Sequence, residues 1–132
     1  MFACVIVVLI VVQAPFNVWT ETPTGGAVNF LTGAGGFLQG VLFGYGGMRL
    51  TSSALEIVPQ LPEGTNEMAF RMLHYQQCRF DLTWDNNSIV LTQQEGKSHV
   101  LTASTSTSKC SMAVGQQCVF APGSIIHVQL SA

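Results

Sequence analysis

Between Glu21 and Arg49 the chain has more than twenty consecutive residues without a charge, and a third of them are glycine. Apolar residues recur in this stretch at steps of three and four, which is the spacing of an α-helix. They are Ala27, Phe30, Leu31, Ala34, Phe37, Leu38, Val41, Leu42 and Tyr45. The pattern predicts one long apolar helix over residues 25–45, ended by the glycine pair at 46–47.

The glycines inside this predicted helix restrict its surroundings. Each costs up to about 1 kcal/mol relative to alanine, so the helix needs close neighbours that benefit from the missing side chains. It is also apolar on nearly every side, which indicates burial among other helices. No comparable helical pattern follows it in the chain. We therefore expect its partners on another chain, in lipid or in a longer parent protein.

After Gly47 the apolar period changes from three or four residues to two. In the run "CRFDLTW", Phe80, Leu82 and Trp84 fall on one face and polar residues on the other. Turn-forming segments such as "DNNS", "QEGKS" and "APGS" separate several of these short runs. This arrangement predicts a small antiparallel β-sandwich over residues 48–132 and an α+β fold overall. The tripeptide Asn86-Asn87-Ser88, at a predicted hairpin tip, is a formal glycosylation acceptor, although a simple Asn-rich turn explains it equally.

The apolar run "FACVIVVLIVV" at residues 2–12 is too short to cross a bilayer as a helix, which takes about 20 residues. It fits a signal-peptide core, a buried strand or translated non-native sequence. A signal peptide is not favoured, because no basic residue precedes the run. Residues 1–14 are therefore an apolar leader of uncertain origin. The location of the protein stays open between the cytoplasm and the secretory or lysosomal compartments.

Charge and cysteine spacing exclude several classes of function. Only 9% of the residues are charged, and the five Lys and Arg residues are scattered, so no basic patch for nucleic acid is expected. The four cysteines form no CxxC pair, and the three histidines are not spaced from them as zinc ligands. We expect neither a metal nor a cofactor. Cys110 and Cys118 would close a hairpin disulfide in a secreted chain, but buried free thiols are the favoured prediction.

Two glycine motifs suggest other functions. The segment "GAGGFLQG" begins like a dinucleotide-binding fingerprint, but Leu38 occupies the last glycine position. Gly36, Gly40 and Gly44 form a doubled GxxxG, which in an apolar helix is typical of membrane dimers. Polar residues within the segment and the lack of a basic residue before it argue against a membrane span.

Glu21 is the remaining candidate for chemistry, and it lies between Trp19 and Pro23 at the entrance of the predicted helix. A carboxylate at a helix N-terminus is an ordinary partner of the helix dipole. Spacing alone favours that structural role for Glu21.

The stretch "VWTETPTGGAVNFLTGAGGFLQGVLFGYGGMRL" closely resembles the end of the catalytic domain of glycoside hydrolase family 65. This resemblance implies a helical (α/α)6 barrel, of which residues 15–47 would be the end, followed by a C-terminal sandwich at 48–132. The members that it resembles most remove glucose from the collagen disaccharide glucosylgalactosyl-hydroxylysine. By the same resemblance Glu21 would be the general base of an inverting hydrolase. Trp19, two residues before it, is a candidate to line the sugar site.

The resemblance also implies that the general acid lies upstream of these residues, so the chain alone is expected to be inactive. Its partner would be the glycan substrate of the full-length parent. The rival hypothesis is a non-catalytic β-sandwich binding module, either secreted or anchored by residues 25–47. Partitioning into membranes would distinguish the anchored module from a barrel helix without its neighbours.

Overall fold

The computed structural model describes residues 31–96 and 99–131. The chain divides into two compact units, Met1–Gly46 and Gly47–Ala132. In the first unit the described residues form helix α1, Leu31–Gln39, followed by a π-helical segment, Gly40–Tyr45. Within the described residues, no helix combines the length and apolarity needed to cross a membrane.

The prediction of one long apolar helix over residues 25–45 is not supported. The α-helix has nine residues and widens into a six-residue π-helix, and residues 25–30 lie outside the described part. At the end of the π-helix, the Gly46 N–H donates to the Val41 carbonyl, five residues earlier, at 3.0 Å. Gly40 and Gly44 lie within this segment and have no side chain to favour regular α geometry, so a departure there is physically reasonable.

The described helical residues expose apolar side chains, as the sequence predicts. Leu38 is 60% exposed and Phe43 is 56% exposed. Full burial of a large apolar side chain contributes about 1.5–3 kcal/mol. Among the described residues, these two side chains therefore gain only part of that stabilisation.

The described residues of the second unit form nine strands in two antiparallel sheets, which agrees with the predicted β-sandwich. The strands are β1 Met48–Leu50, β2 Leu55–Ile57, β3 Glu67–Tyr75, β4 Cys78–Asp85, β5 Ile89–Glu95, β6 Leu101–Ser104, β7 Lys109–Met112, β8 Gln117–Phe120 and β9 Ile126–Leu130. One sheet has the order β1-β2-β9-β6-β7 and the other has the order β3-β4-β5-β8.

Alternation along the strands builds the core between the two sheets. In β4, Phe80, Leu82 and Trp84 are buried, as the sequence pattern predicts. The same alternation buries Ile89 and Leu91 in β5. The five-stranded sheet contributes Leu55, Ile57, Leu101, Ala103, Met112, Ile126 and Val128. Side chains on alternate positions face inward because successive residues of a strand point to opposite faces.

Gly47 begins the sandwich in a conformation that only glycine adopts easily. Its φ is +59°, and a Cβ placed there would collide with the carbonyl of Val58. The Gly47 carbonyl also accepts the N–H of Val58 at 3.2 Å. The second glycine of the pair is therefore required by the sandwich itself, in addition to its helix-ending role.

Cys110 and Cys118 form a disulfide, with their Cα atoms 5.9 Å apart. The prediction of free thiols is therefore wrong for this pair. It is correct for Cys78, which is buried and unpaired, whereas Cys4 lies outside the described residues. Cys110 belongs to β7 and Cys118 to β8, so the bond joins the edge strands of the two sheets. A disulfide closing so short a loop contributes about 2.5 kcal/mol in the chain-entropy account.

Candidate functional site

The two residues that the sequence assigns to the site, Glu21 and Trp19, lie outside the described part of the chain. The polar chemistry that the structure does describe belongs to the sandwich. It consists of an anchored carboxylate at Asp81 and a buried amide at Gln93.

Asp81 lies on the outer face of the four-stranded sheet, between two irregularities of register. On one side the β3–β4 pairing shifts between Phe70 and Leu73. On the other side the β4–β5 pairing shifts where Arg79 and Phe80 meet β5. An extra residue in one strand leaves ladder groups unpaired, so each bulge needs a polar partner from elsewhere.

The Asp81 carboxylate supplies partners to both bulges. Its Oδ1 accepts the backbone N–H of Met72 at 2.8 Å, and Met72 has a positive φ of 54°. Its Oδ2 accepts Arg71 Nη1 at 3.1 Å and the side-chain amide of Gln94 at 3.0 Å. One carboxylate thus holds the bulged segment of β3 and the end of β5 against β4.

The environment of Asp81 keeps this carboxylate charged. Burial opposes ionisation, but the hydrogen bonds from Met72, Arg71 and Gln94 outweigh it, so the pKa of Asp81 is lower than usual. The side chain is 12% exposed, and its oxygens already accept three donors. Such a carboxylate is a poor proton acceptor at neutral pH. We therefore assign Asp81 to the architecture of the sheet.

We expect Asp81→Asn to destabilise the 132-residue chain by about 2 kcal/mol at neutral pH, since hydrogen bonds to a charged group contribute about 1.5–3 kcal/mol. Because folding lowers the pKa of Asp81, its stabilisation is present above the unfolded-state pKa. It disappears as the pH falls through the folded-state pKa. The difference between the two proteins should therefore shrink in acid, as measured by urea unfolding across that range.

Glu63→Gln is the matched control for this prediction, because Glu63 is an exposed loop residue. The Glu63→Gln substitution removes one negative charge, as Asp81→Asn does, but it removes no buried hydrogen bond. The free energy of unfolding of Glu63→Gln should therefore equal that of the wild type at every pH. A constant deficit of Asp81→Asn from neutral to acid pH would contradict the charged-anchor role.

Gln93 connects the two sheets through the core. Its side chain is fully buried, with Nε2 donating to the His99 carbonyl at 2.8 Å and Oε1 accepting the Leu101 N–H at 2.9 Å. Its backbone carbonyl accepts the N–H of Gly115 at 2.9 Å, in the turn between β7 and β8. The residue therefore satisfies backbone groups of the connection into β6, which a buried apolar side chain would leave unpaired.

Gly96 allows this arrangement to close. A Cβ at that position would collide with the Gln93 amide and would lie 2.6 Å from the His99 carbonyl oxygen. It would also lie 3.0 Å from the Cys78 sulfur. Cys78 donates weakly to the same carbonyl at 3.5 Å, and burial raises the pKa of its thiol. A protonated, buried thiol of this kind is an inert part of the core.

The remaining carboxylates of the sandwich are dispersed. Glu95 pairs with Arg79 at 3.3 Å on the surface, where such pairs contribute little. Asp85 caps the β4–β5 hairpin, and hydrogen bonds from the Asn87 and Ser88 backbone lower the pKa of its carboxyl. Among the described residues, no group of three or more His, Cys, Asp or Glu side chains is placed to hold a metal ion.

The sandwich matches a known domain family. The family described as glycosyl hydrolase family 65, C-terminal domain, matches residues 48–104, which run from β1 to β6. This part of the sandwich resembles the C-terminal domain of glycosyl hydrolase family 65. Asp81 and Gln93 both lie within the matched range.

Relatives of the chain carry a specific activity in their names. It is 55% identical over 77 residues to the protein-glucosylgalactosylhydroxylysine glucosidase of Dictyostelium discoideum, covering 58% of this chain and 11% of that protein. It is 40% identical over 85 residues to the glucosidase of the same name from Gallus gallus, covering 62% of this chain and 12% of the relative. The chain thus spans about a ninth to an eighth of the length of these relatives.

A solved structure shares the fold. A putative kojibiose phosphorylase from human microbiome superimposes with a TM-score of 0.56 over 69% of this chain and 12% of that protein. The sequence identity is 13%, so this likeness concerns the fold alone.

Sequence reasoning missed both polar anchors of the sandwich. Asp81 gave one usable signal, because aspartate is depleted in strands and one in mid-strand requires dedicated partners. Gln93 also gave a signal, because it continues the inward alternation of Ile89 and Leu91, whereas Gln94 falls on the outer face. The disulfide also gave a signal, eight residues of separation around a glycine-containing turn.

Proposed function

We propose that this chain is the C-terminal part of an inverting glucosidase that removes glucose from glucosylgalactosyl-hydroxylysine. The observation that carries the proposal is the 55% identity to the Dictyostelium glucosidase over 77 residues. The family 65 domain at residues 48–104 supports the same assignment at the level of the family. Residues 15–47 would then be the end of the catalytic helical barrel, with the Leu31–Gln39 helix among its last helical residues.

In this proposal Glu21 acts as the general base. Inverting glycosidases use two carboxyl groups about 6.5–9.5 Å apart, which leaves room for a water molecule beneath the sugar. Glu21 would remove a proton from that water as its oxygen attacks the anomeric carbon. A carboxylic acid elsewhere in the parent protein would donate a proton to the leaving oxygen. Trp19 would present its ring to the sugar beside this water.

The sandwich supports this site without taking part in the reaction. Its carboxylates are committed to other contacts, as at Asp81 and Asp85, or are dispersed on the surface. Because the chain covers 11–12% of these relatives, the general acid and the sugar subsites belong to the remaining length of the parent. Positioning of the substrate alone can supply roughly 7–11 kcal/mol of the barrier. We therefore expect no glucose release from this chain by itself.

The test uses two chimeras of the Dictyostelium glucosidase. In the long chimera, residues 15–132 of this chain replace the homologous end of the relative, and in the short chimera residues 48–132 do. Both are expected to release glucose from glucosylgalactosyl-hydroxylysine at rates within about tenfold of the parent. A small displacement of the site that raises the activation free energy by about 1 kcal/mol lowers the rate less than tenfold. The isolated chain, assayed in parallel, is expected to release none.

The two chimeras distinguish the assignments. Activity in the short chimera with none in a folded long chimera would contradict a catalytic role for residues 15–47. Loss of activity in both, with melting temperatures like the parent, would contradict the proposed function. Glucose release by the isolated chain would show that a complete site exists within these residues.

A further inference from the structure

The β4–β5 hairpin presents an asparagine in an ordered, exposed turn. Asp85 Oδ1 accepts the backbone N–H of Asn87 and that of Ser88, both at 2.7 Å, and the Ser88 hydroxyl at 3.3 Å. The Asp85 N–H in turn donates to the Ser88 carbonyl at 3.0 Å. Asn86 occupies the tip of this turn and is exposed. None of the hydrogen bonds found in the described residues uses the Asn86 side-chain amide.

The tripeptide at this tip has the acceptor sequence for N-linked glycans. Asn86-Asn87-Ser88 is an Asn-X-Ser with X other than proline, and the 132-residue sequence contains one such acceptor tripeptide. An attached glycan is bulky and needs a surface position. At Asn86 the fold provides that position, since the turn is held by Asp85 and by the backbone, and a group added to the Asn86 amide displaces no bond of the hairpin.

The inter-sheet disulfide is a second and independent sign of the same compartment. Cys110 and Cys118 are bonded across the edges of the two sheets. Disulfides persist in oxidising compartments and are rare where thiols are kept reduced. N-linked glycosylation belongs to the same secretory route, in whose lumen structural disulfides form. The hairpin and the disulfide lie on different strands, so neither feature requires the other for structural reasons.

We propose that Asn86 is a glycosylation site, modified by a polyisoprenyl-diphosphate-linked oligosaccharide in an oxidising lumen through which the protein passes. In the transfer, the Asn86 amide nitrogen forms a bond to the anomeric carbon of the oligosaccharide. The bond from that carbon to the diphosphate oxygen breaks, and the polyisoprenyl diphosphate leaves with the electron pair. The amide gives up one N–H proton to the transferase. The reaction needs no oxidant, and the glycan projects from the hairpin tip away from the core.

The experiment expresses the natural coding sequence, with an epitope tag, in cells of its own source. Wild type, Asn86→Gln and Asn87→Gln are compared by gel mobility before and after treatment with peptide N-glycosidase. The wild type and Asn87→Gln are expected to migrate faster after treatment, since both keep the acceptor. Asn86→Gln is expected to migrate at the deglycosylated position with or without the enzyme. Ser88→Thr, which also keeps the acceptor, is expected to behave as the wild type.

Insensitivity of the wild type to the glycosidase overturns the proposal. A shift that persists in Asn86→Gln also overturns it, because the glycan would then be elsewhere. Thiol alkylation before and after reduction is measured on the same samples. If Cys110 and Cys118 react with the alkylating reagent only after reduction and no glycan is found, the disulfide forms and the assignment of Asn86 as an acceptor is wrong. If both thiols react before reduction, the proposed oxidising compartment is wrong.

Discussion

Replacing Glu21 by glutamine in the long chimera is expected to lower the rate of glucose release by a factor of about 10²–10⁴, the usual contribution of a general base. Glutamine keeps the size of the side chain and removes its basic oxygen. KM should change little, because the substrate binds through other residues of the barrel. The measurement is kcat and KM for glucosylgalactosyl-hydroxylysine, together with the melting temperature, which should match that of the unsubstituted chimera.

The pH profile distinguishes catalysis from a structural charge. A general base must be deprotonated, so it produces the acidic limb of the profile of kcat/KM. That limb should disappear from the residual activity of Glu21→Gln. The Glu63→Gln chimera, which removes an exposed carboxylate of the sandwich, should keep both the rate and the limb. Near-normal turnover in Glu21→Gln would return Glu21 to the role of a charge at the entrance of a helix.

The sandwich could be predicted from sequence because strand alternation is a local property. Phe80, Leu82 and Trp84 follow one another at steps of two, and any sheet that covers one face of β4 must bury all three. The turn segments then fix where strands end. The boundary at Gly47 is equally local, since a positive φ suits glycine alone among the residues near it.

The contacts that lock the sandwich depend on pairings between distant strands. The bulge at Met72 and the shift opposite Arg79 arise only when β3, β4 and β5 align, so Asp81 acquires its three donors from the register. The disulfide likewise requires that β7 and β8 lie at corresponding edges of two sheets. The helix illustrates the opposite error. Its apolar period predicts length, but the glycines that interrupt it permit the π-helical geometry of Gly40–Tyr45.

The second large effect concerns Gln93, where Gln93→Leu is expected to destabilise the chain by about 2–5 kcal/mol. Leucine has a similar volume and would suit the core. It leaves the Leu101 N–H without a partner and the His99 carbonyl with only the weak Cys78 thiol donor, however, and a buried unpaired group costs about 1–3 kcal/mol. The free energy of urea unfolding measures the loss. The slope of the unfolding free energy against urea concentration reports the surface exposed on unfolding. Because the substitution leaves that surface almost unchanged, the slope should stay close to that of the wild type.

Gln94→Leu is the matched control, because it makes the same chemical change at the next residue. Gln94 lies at the surface and supplies one of the three hydrogen-bond donors to Asp81. The Gln94→Leu substitution should therefore lower the free energy of unfolding by only about 1 kcal/mol. A difference of more than about 1 kcal/mol between the two variants would locate the stabilisation in the buried bridge. Equal losses would mean that the Gln93 amide does not hold the connection into β6. In that case apolar packing, the Cys110–Cys118 bond and the remaining hydrogen bonds, such as Gly115 N–H to the Gln93 carbonyl, would hold the two sheets together.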